Sequence, residues 1–105
     1  MALFDERERE FEARFKHDQE LQFKVKARRN RLIGLWAADE MGLTGEAASA
    51  YAKSIVEAAF DGGDKNIVEK LVADLAAKGV SRTEAQINFE LNHFAEAAKK
   101  QQMKE

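Results

Sequence analysis

The chain has 105 residues, enough for one domain with one core, whereas two domains of half that length would each be marginal. Hydrophobic residues make up 45% and charged residues 34% with no proline, which points to long uninterrupted helices, and a net charge of -2 excludes global attraction to nucleic acid or anionic lipid. With no cysteine, disulfides, thiol catalysis and cysteine metal sites are excluded.

The first element, LFDEREREFEARFKHDQELQF, reads as a helix, yet seven acidic and four basic side chains lie between Asp5 and Glu20. Acid-first pairs at i, i+4 recur as Asp5 with Arg9, Glu10 with Arg14, Glu12 with Lys16 and Glu20 with Lys24, each contributing about 0.2–0.5 kcal/mol. Phe4, Phe11 and Phe15 form the apolar stripe. On a straight helix this stripe sits roughly 80° from the one formed by Leu21, Val25 and Leu32. Burying three phenylalanines contributes about 5–9 kcal/mol, against a backbone ordering cost on the order of 16–32 kcal/mol for sixteen residues. The segment therefore reads as a marginal helix that either folds back on the rest of the chain or docks in a groove of a partner, with the rings as anchors.

Leu21, Val25, Leu32, Leu35 and Trp36 supply the apolar face of the next stretch, which ends at Met41 with Gly42 after it. From Thr44, expected as a helix cap, residues 48, 51, 52, 55, 56, 59 and 60 form an amphipathic pattern that ends at Gly62 and Gly63. Ile67, Val68, Leu71, Val72 and Leu75 repeat it, and Gly79 with Val80 predicts a Schellman ending. Ser81 and Glu84 are expected to form a capping box for a last helix with Ile87, Leu91, Phe94 and Ala98 on one face. The connections are short, so the expected architecture is all-α, a compact four-helix bundle over residues 19–105 with a mobile N-terminal segment at 1–18.

Other signals are weaker. Lys24, Lys26, Arg28, Arg29 and Arg31 form a basic run beside Phe23, but Lys26 and Arg29 point away from the flank shared by the other three, and three charges are few for a phosphate footprint. Nucleic-acid binding through this run is the lesser alternative, and basic stems lying along a buried stripe are the plainer reading. His17 and His93 lack any metal-ligand spacing, and GLTGEAASAY is not a phosphate loop. Trp36 reads as a core anchor. No nucleophile has a base beside it, which argues against an enzyme, and no cofactor is expected. With no apolar leader and no window near the roughly 18 apolar residues of a membrane span, the chain is expected to be cytoplasmic without inserting in a bilayer.

The run FDEREREFEARFKHDQELQFKVKARRNRLIGLWAADEMGLTGEAASAYAKSIV, from Phe4 to Val56, resembles the zeta subunit of the alphaproteobacterial F-type ATP synthase, above all in ARRNRLIGLWAA, Ala27 to Ala38. The resemblance covers about half the chain closely; the remainder agrees in length and helical pattern. It implies an inhibitor of ATP hydrolysis that binds the alpha, beta and gamma subunits. Its mobile N-terminal segment would insert at their catalytic interface and become helical there. Carried over, the partner-binding residues are Phe4, Asp5, Glu6, Arg7, Glu8, Arg9, Glu10, Phe11, Glu12, Arg14, Phe15 and Lys16. The resemblance also places the protein at the inner membrane through the synthase, monomeric when free. The alternative from the residues alone is a general helical adaptor that docks the same arm on another complex.

Overall fold

In a computed structural model the backbone is described for residues 2–103 and the side chains for residues 19–102. The described chain is all-α: α1 (Ala2–Glu40), α2 (Gly45–Ala77) and α3 (Glu84–Met103), with no strand among the described residues. The four helices expected from the sequence are therefore corrected to three. Gly62 and Gly63, read as a terminator, are instead the inside of α2, where Gly63 alone leaves helical geometry at φ 67° and ψ -151°. A side chain is strained in that region and glycine is not, so the helix turns at Gly63 and resumes at Asp64.

The sharpness of the turn follows from one hydrogen bond. Tyr51 Oη donates to Asp74 Oδ2 at 2.8 Å. On a straight helix, residues 23 apart would be separated by about 34 Å, so α2 must double back on itself at Gly63. Doubling back disturbs the helical hydrogen bonds at the bend. Asn66 Nδ2 serves one of the carbonyls there, donating to Ala58 O at 2.8 Å.

The helix ends explain themselves locally. At the end of α2, Val80 N–H donates to Leu75 O at 2.9 Å and Gly79 N–H to Ala76 O at 3.0 Å, the Schellman pair predicted from Gly79. The end of α1 repeats it, with Leu43 bonded to Ala38 O and Gly42 to Asp39 O. Thr44 is the N-cap residue of α2, but its side chain makes no capping bond. The box at α3 lies two residues beyond the expected one: Gln86 N–H donates to Thr83 Oγ1 at 3.1 Å and Thr83 N–H to Gln86 Oε1 at 2.9 Å. Thr83 and Gln86 have the same spacing as Ser81 and Glu84, and α3 starts at Glu84, so only Thr83 is in place to cap it.

The core gathers Ile33 and Ala37 of α1, Ile55, Ile67, Val68, Leu71 and Leu75 of α2, and Ile87 and Leu91 of α3. Ile33 and Ala37 are fully buried, whereas Leu21, Val25, Leu32, Leu35 and Trp36 are only half-buried. The true core stripe of α1 is thus rotated roughly 120° from the Leu21, Val25, Leu32 stripe at 100° per residue. Measured from Ile33 and Ala37, the ideal-helix offset of positions 4, 11 and 15 falls from about 80° to about 40°, so helical phase does not set these positions apart from the core face. What remains is the polar interruption between residues 16 and 20.

Gly34 sets the distance between α1 and α2. A Cβ built there would lie 2.7 Å from Ala52 Cα and 3.2 Å from Ala52 Cβ, closer than carbon atoms approach without strain. Glycine on one helix and alanine on the other let the two backbones touch. Around this contact Ile33, Ile55 and Ala52 lose all exposure.

Candidate functional site

The predicted partner-binding side chains, Phe4 to Lys16, lie outside the described residues, as does His17. The backbone of α1 runs as one helix from Ala2 to Glu40, through position 18 without a break. The described part of the molecule positions that helix through a polar clamp at the bend of α2.

Among the described residues, Arg29 and Asn30 are polar yet buried, at 8% and 3% exposure. Arg29 Nη2 donates to Asp64 Oδ1 at 2.7 Å and Nη1 to Asp64 Oδ2 at 3.3 Å, while Nε and Nη2 donate to Asn30 Oδ1 at 3.0 and 2.8 Å. A planar guanidinium suits this two-sided grip, which a lysine could not reproduce. The hydrogen bond from Arg29 lowers the pKa of Asp64; partial burial opposes the shift, and the charges of Arg29 and Lys26 add to it. Because Asp64 follows Gly63 directly, the clamp holds the bend of α2 against the middle of α1. Arg29 points away from the basic flank, as its register predicts, and the fold brings it to Asp64, 35 residues on.

A second polar cluster ties the two arms of α2 together. Asp74 accepts from Tyr51 and pairs with Lys70 at 3.0 Å, and Lys70 Nζ stands 5.7 Å from the Tyr51 ring centre. Burial, then the bond to Asp74, pushes the Tyr51 hydroxyl far up, so it stays a donor. Arg82 pairs with Glu40 at 3.2 Å and fixes the start of α3 to the end of α1.

Of the remaining basic run, Lys24, Lys26 and Arg31 are exposed and Arg28 is half-buried. Lys24, Arg28 and Arg31 line one shallow groove, as their shared flank predicted, together with Phe23 and Val56. On the other side of Phe23, Phe60 completes a small cavity of about 210 Å³ over Ala27, Val56 and Ala59. A larger trough of about 620 Å³ lies between α1 and α3, lined by Leu21, Val25 and Ala95 with Lys26, Arg29 and Lys99. Trp36 packs against the core with one side facing Arg82 and Phe89. His93 is exposed, its ring edge-on to Phe94 at 5.3 Å. Among the described residues no three His, Asp or Glu side chains converge as metal ligands would, and no helix is long and apolar enough to cross a membrane.

Comparison with known proteins is decisive at the level of family. The family model of ATPase inhibitor subunit zeta matches residues 1–101. The chain belongs to this family. Zeta subunits are regulatory proteins, so the chain is not an enzyme. The match spans the N-terminal segment as well as the three-helix body. One solved structure, determined by NMR in solution, is 38% identical, covers 80% of this chain and 96% of its own, and superposes with a TM-score of 0.70. No curated protein sequence matches the chain.

Proposed function

We propose that this zeta-family protein inhibits ATP hydrolysis by the F-type ATP synthase by inserting its N-terminal helix at the interface of the alpha, beta and gamma subunits. The observation that carries the reading is the family match over residues 1–101, which includes the Phe4–Lys16 segment rather than stopping at the bundle. Two features support it. The backbone of α1 is one helix across residues 2–40, so a continuous helix leads from the core to the N-terminus. Its first sixteen residues reach about 24 Å, enough to enter a cleft between subunits.

In this mechanism residues 19–105 are the body that presents the N-terminal helix. Phe4, Phe11 and Phe15 bury their rings in the partner, and the charges from Asp5 to Lys16 select the register. An inserted helix blocks the closure of a catalytic site that hydrolysis requires, and no chemistry by the inhibitor is needed. The protein would then reside on the cytoplasmic side of the membrane, held there by the synthase, and be monomeric when free.

The test is ATP hydrolysis by the isolated synthase head, titrated with the full chain and with a form lacking residues 2–18. The full chain should inhibit and the truncated form should not, while circular dichroism shows both to be helical. Undiminished inhibition by a folded truncated form overturns the N-terminal mechanism. No inhibition by the full chain overturns the reading altogether.

A further inference from the structure

Among the described residues of α1, Arg29 and Asn30 are the first, counted from the N-terminus, to be buried. From position 19 to position 28 no side chain is sealed: Leu21, Val25, Ala27 and Arg28 are half-buried and the others are exposed. The trough between α1 and α3 lies along this stretch, so α3 does not close over it. The clamp is therefore the last firm hold that the body has on α1 before the helix runs on to Ala2. Its chemistry is informative. Burying a guanidinium costs desolvation that an ion pair regains only in part, and apolar side chains of like volume often seal such a place with equal stability. What they do not supply is direction. The planar fork of Arg29 is bonded to Asp64 and to Asn30, and Asp64 stands at the bend of α2 beside Gly63. Bonds with preferred angles hold α1 at one inclination to α2, whereas an apolar contact lets two helices tilt and slide.

From this geometry we infer that the Arg29–Asp64 clamp is the fulcrum that aims the N-terminal helix at the synthase, which makes Arg29 and Asp64 positioning residues for inhibition. The inference rests on the function proposed above. Length magnifies any tilt at the clamp. Phe4 stands 25 positions before Arg29, about 38 Å along a continuous helix. A tilt of about 10° displaces that position by about 6–7 Å, more than half the width of a helix. A tilted helix must be brought back into line before it inserts, so the apparent affinity falls in proportion to the fraction of molecules that are aligned. With about one molecule in ten aligned, the inhibitor is about tenfold weaker, yet inhibition is still complete at saturation.

The experiment uses the full-length protein and two variants that remove the fork in different ways. Arg29→Lys keeps the charge and loses the planar fork. The triple variant Arg29→Met, Asn30→Leu and Asp64→Ser removes the cluster whole, so that no buried polar group is left without a partner. Thermal melting verifies the fold of each, and each is titrated against ATP hydrolysis by the isolated head beside the wild type. The direction of the helix is read separately, in the free protein. The chain has no cysteine, so Ala13→Cys on α1 and Ala73→Cys on α2 accept a pair of nitroxide labels whose distance distribution is measured by pulsed electron paramagnetic resonance. The expected result is a triple variant that melts near the wild type, with a broadened distance distribution and a half-inhibition concentration raised about tenfold, full inhibition still being reached at saturation. Arg29→Lys should show the same two changes. A clamp that served stability alone would leave both readings unmoved in a folded variant. A distance distribution or a potency like that of the wild type, in either variant once folded, overturns the fulcrum; if removal of residues 2–18 still abolishes inhibition, the proposed function stands. Failure of the wild type to inhibit overturns both.

Discussion

Substituting Gly34 by alanine adds one methyl group at the point where α1 and α2 touch. The new Cβ would stand 2.7 Å from Ala52 Cα, an atom of the backbone that no rotamer change can move aside. Carbon atoms rest at about 3.5–4.0 Å, so the helices would have to part by on the order of 1 Å. Such overpacking costs about 1–3 kcal/mol. Alanine is the better helix former by about 0.8–1.0 kcal/mol, which offsets part of the cost. The net expectation is a loss of about 0–2 kcal/mol, measured by urea unfolding followed by circular dichroism. The midpoint temperature should fall by about 4–8 °C for each kcal/mol in a domain of this size. Gly→Ala at an open helical position would stabilise instead, and the reverse change at exposed Ala73, Ala73→Gly, calibrates that propensity term in the same protein. If Gly34→Ala raised stability by about the 0.8–1.0 kcal/mol that helix propensity alone supplies, the close crossing would be refuted and with it the account of how α1 is seated.

The clamp at the bend gives a pH signature. Asp64→Asn leaves Arg29 buried with a weaker acceptor and should cost about 1–2 kcal/mol at neutral pH, below the figure for a fully buried pair because the Asp64 side chain is 55% exposed. The folded-state pKa of Asp64 lies below its ordinary value of 3.8, so its contribution is complete above that value and is lost as pH falls through and below it. Denaturant midpoints of the wild type and Asp64→Asn should therefore differ at pH 7 and draw together as the pH falls below 3.8, and a gap that did not shrink in acid would count against the clamp. Trp36→Ala should cost about 2–3 kcal/mol, less than the 3–5 of a fully enclosed aromatic, because one side of the indole is open; unfolding midpoints decide it.

Much of the helical architecture was legible in the chain. Amphipathic periods marked the helices, and Gly42 and Gly79 marked two of their ends because a Schellman turn needs a residue free to adopt positive φ. Family membership was legible as well, since the run from Ala27 to Ala38 together with the charged Phe-bearing segment before it is a local feature of sequence. The helix count was not. Two adjacent glycines are equally consistent with a helix end and with a helix that bends, and the choice depends on whether the second arm finds partners on the first, as Tyr51 and Asp74 do.

The core face of α1 is hidden from periodicity for a related reason. ARRNRLIGLWAA offers apolar residues on nearly every side of a helix, so periodicity alone could not select Ile33 and Ala37 over Leu32 and Leu35. Gly34 made the selection, since only the face beside a residue without a side chain could come close enough to α2 to be sealed from water. The partner of Arg29 was likewise beyond reading, being 35 residues away and brought near by a turn at Gly63. What the sequence by itself determined about this protein are the features that depend on neighbours within a turn or two: helical segments, glycine caps, the charged N-terminal pattern and the family. What only the tertiary structure decided are the core face of α1, the doubling back of α2 and the Arg29–Asp64 clamp, because each depends on a contact whose closure in space no local propensity encodes.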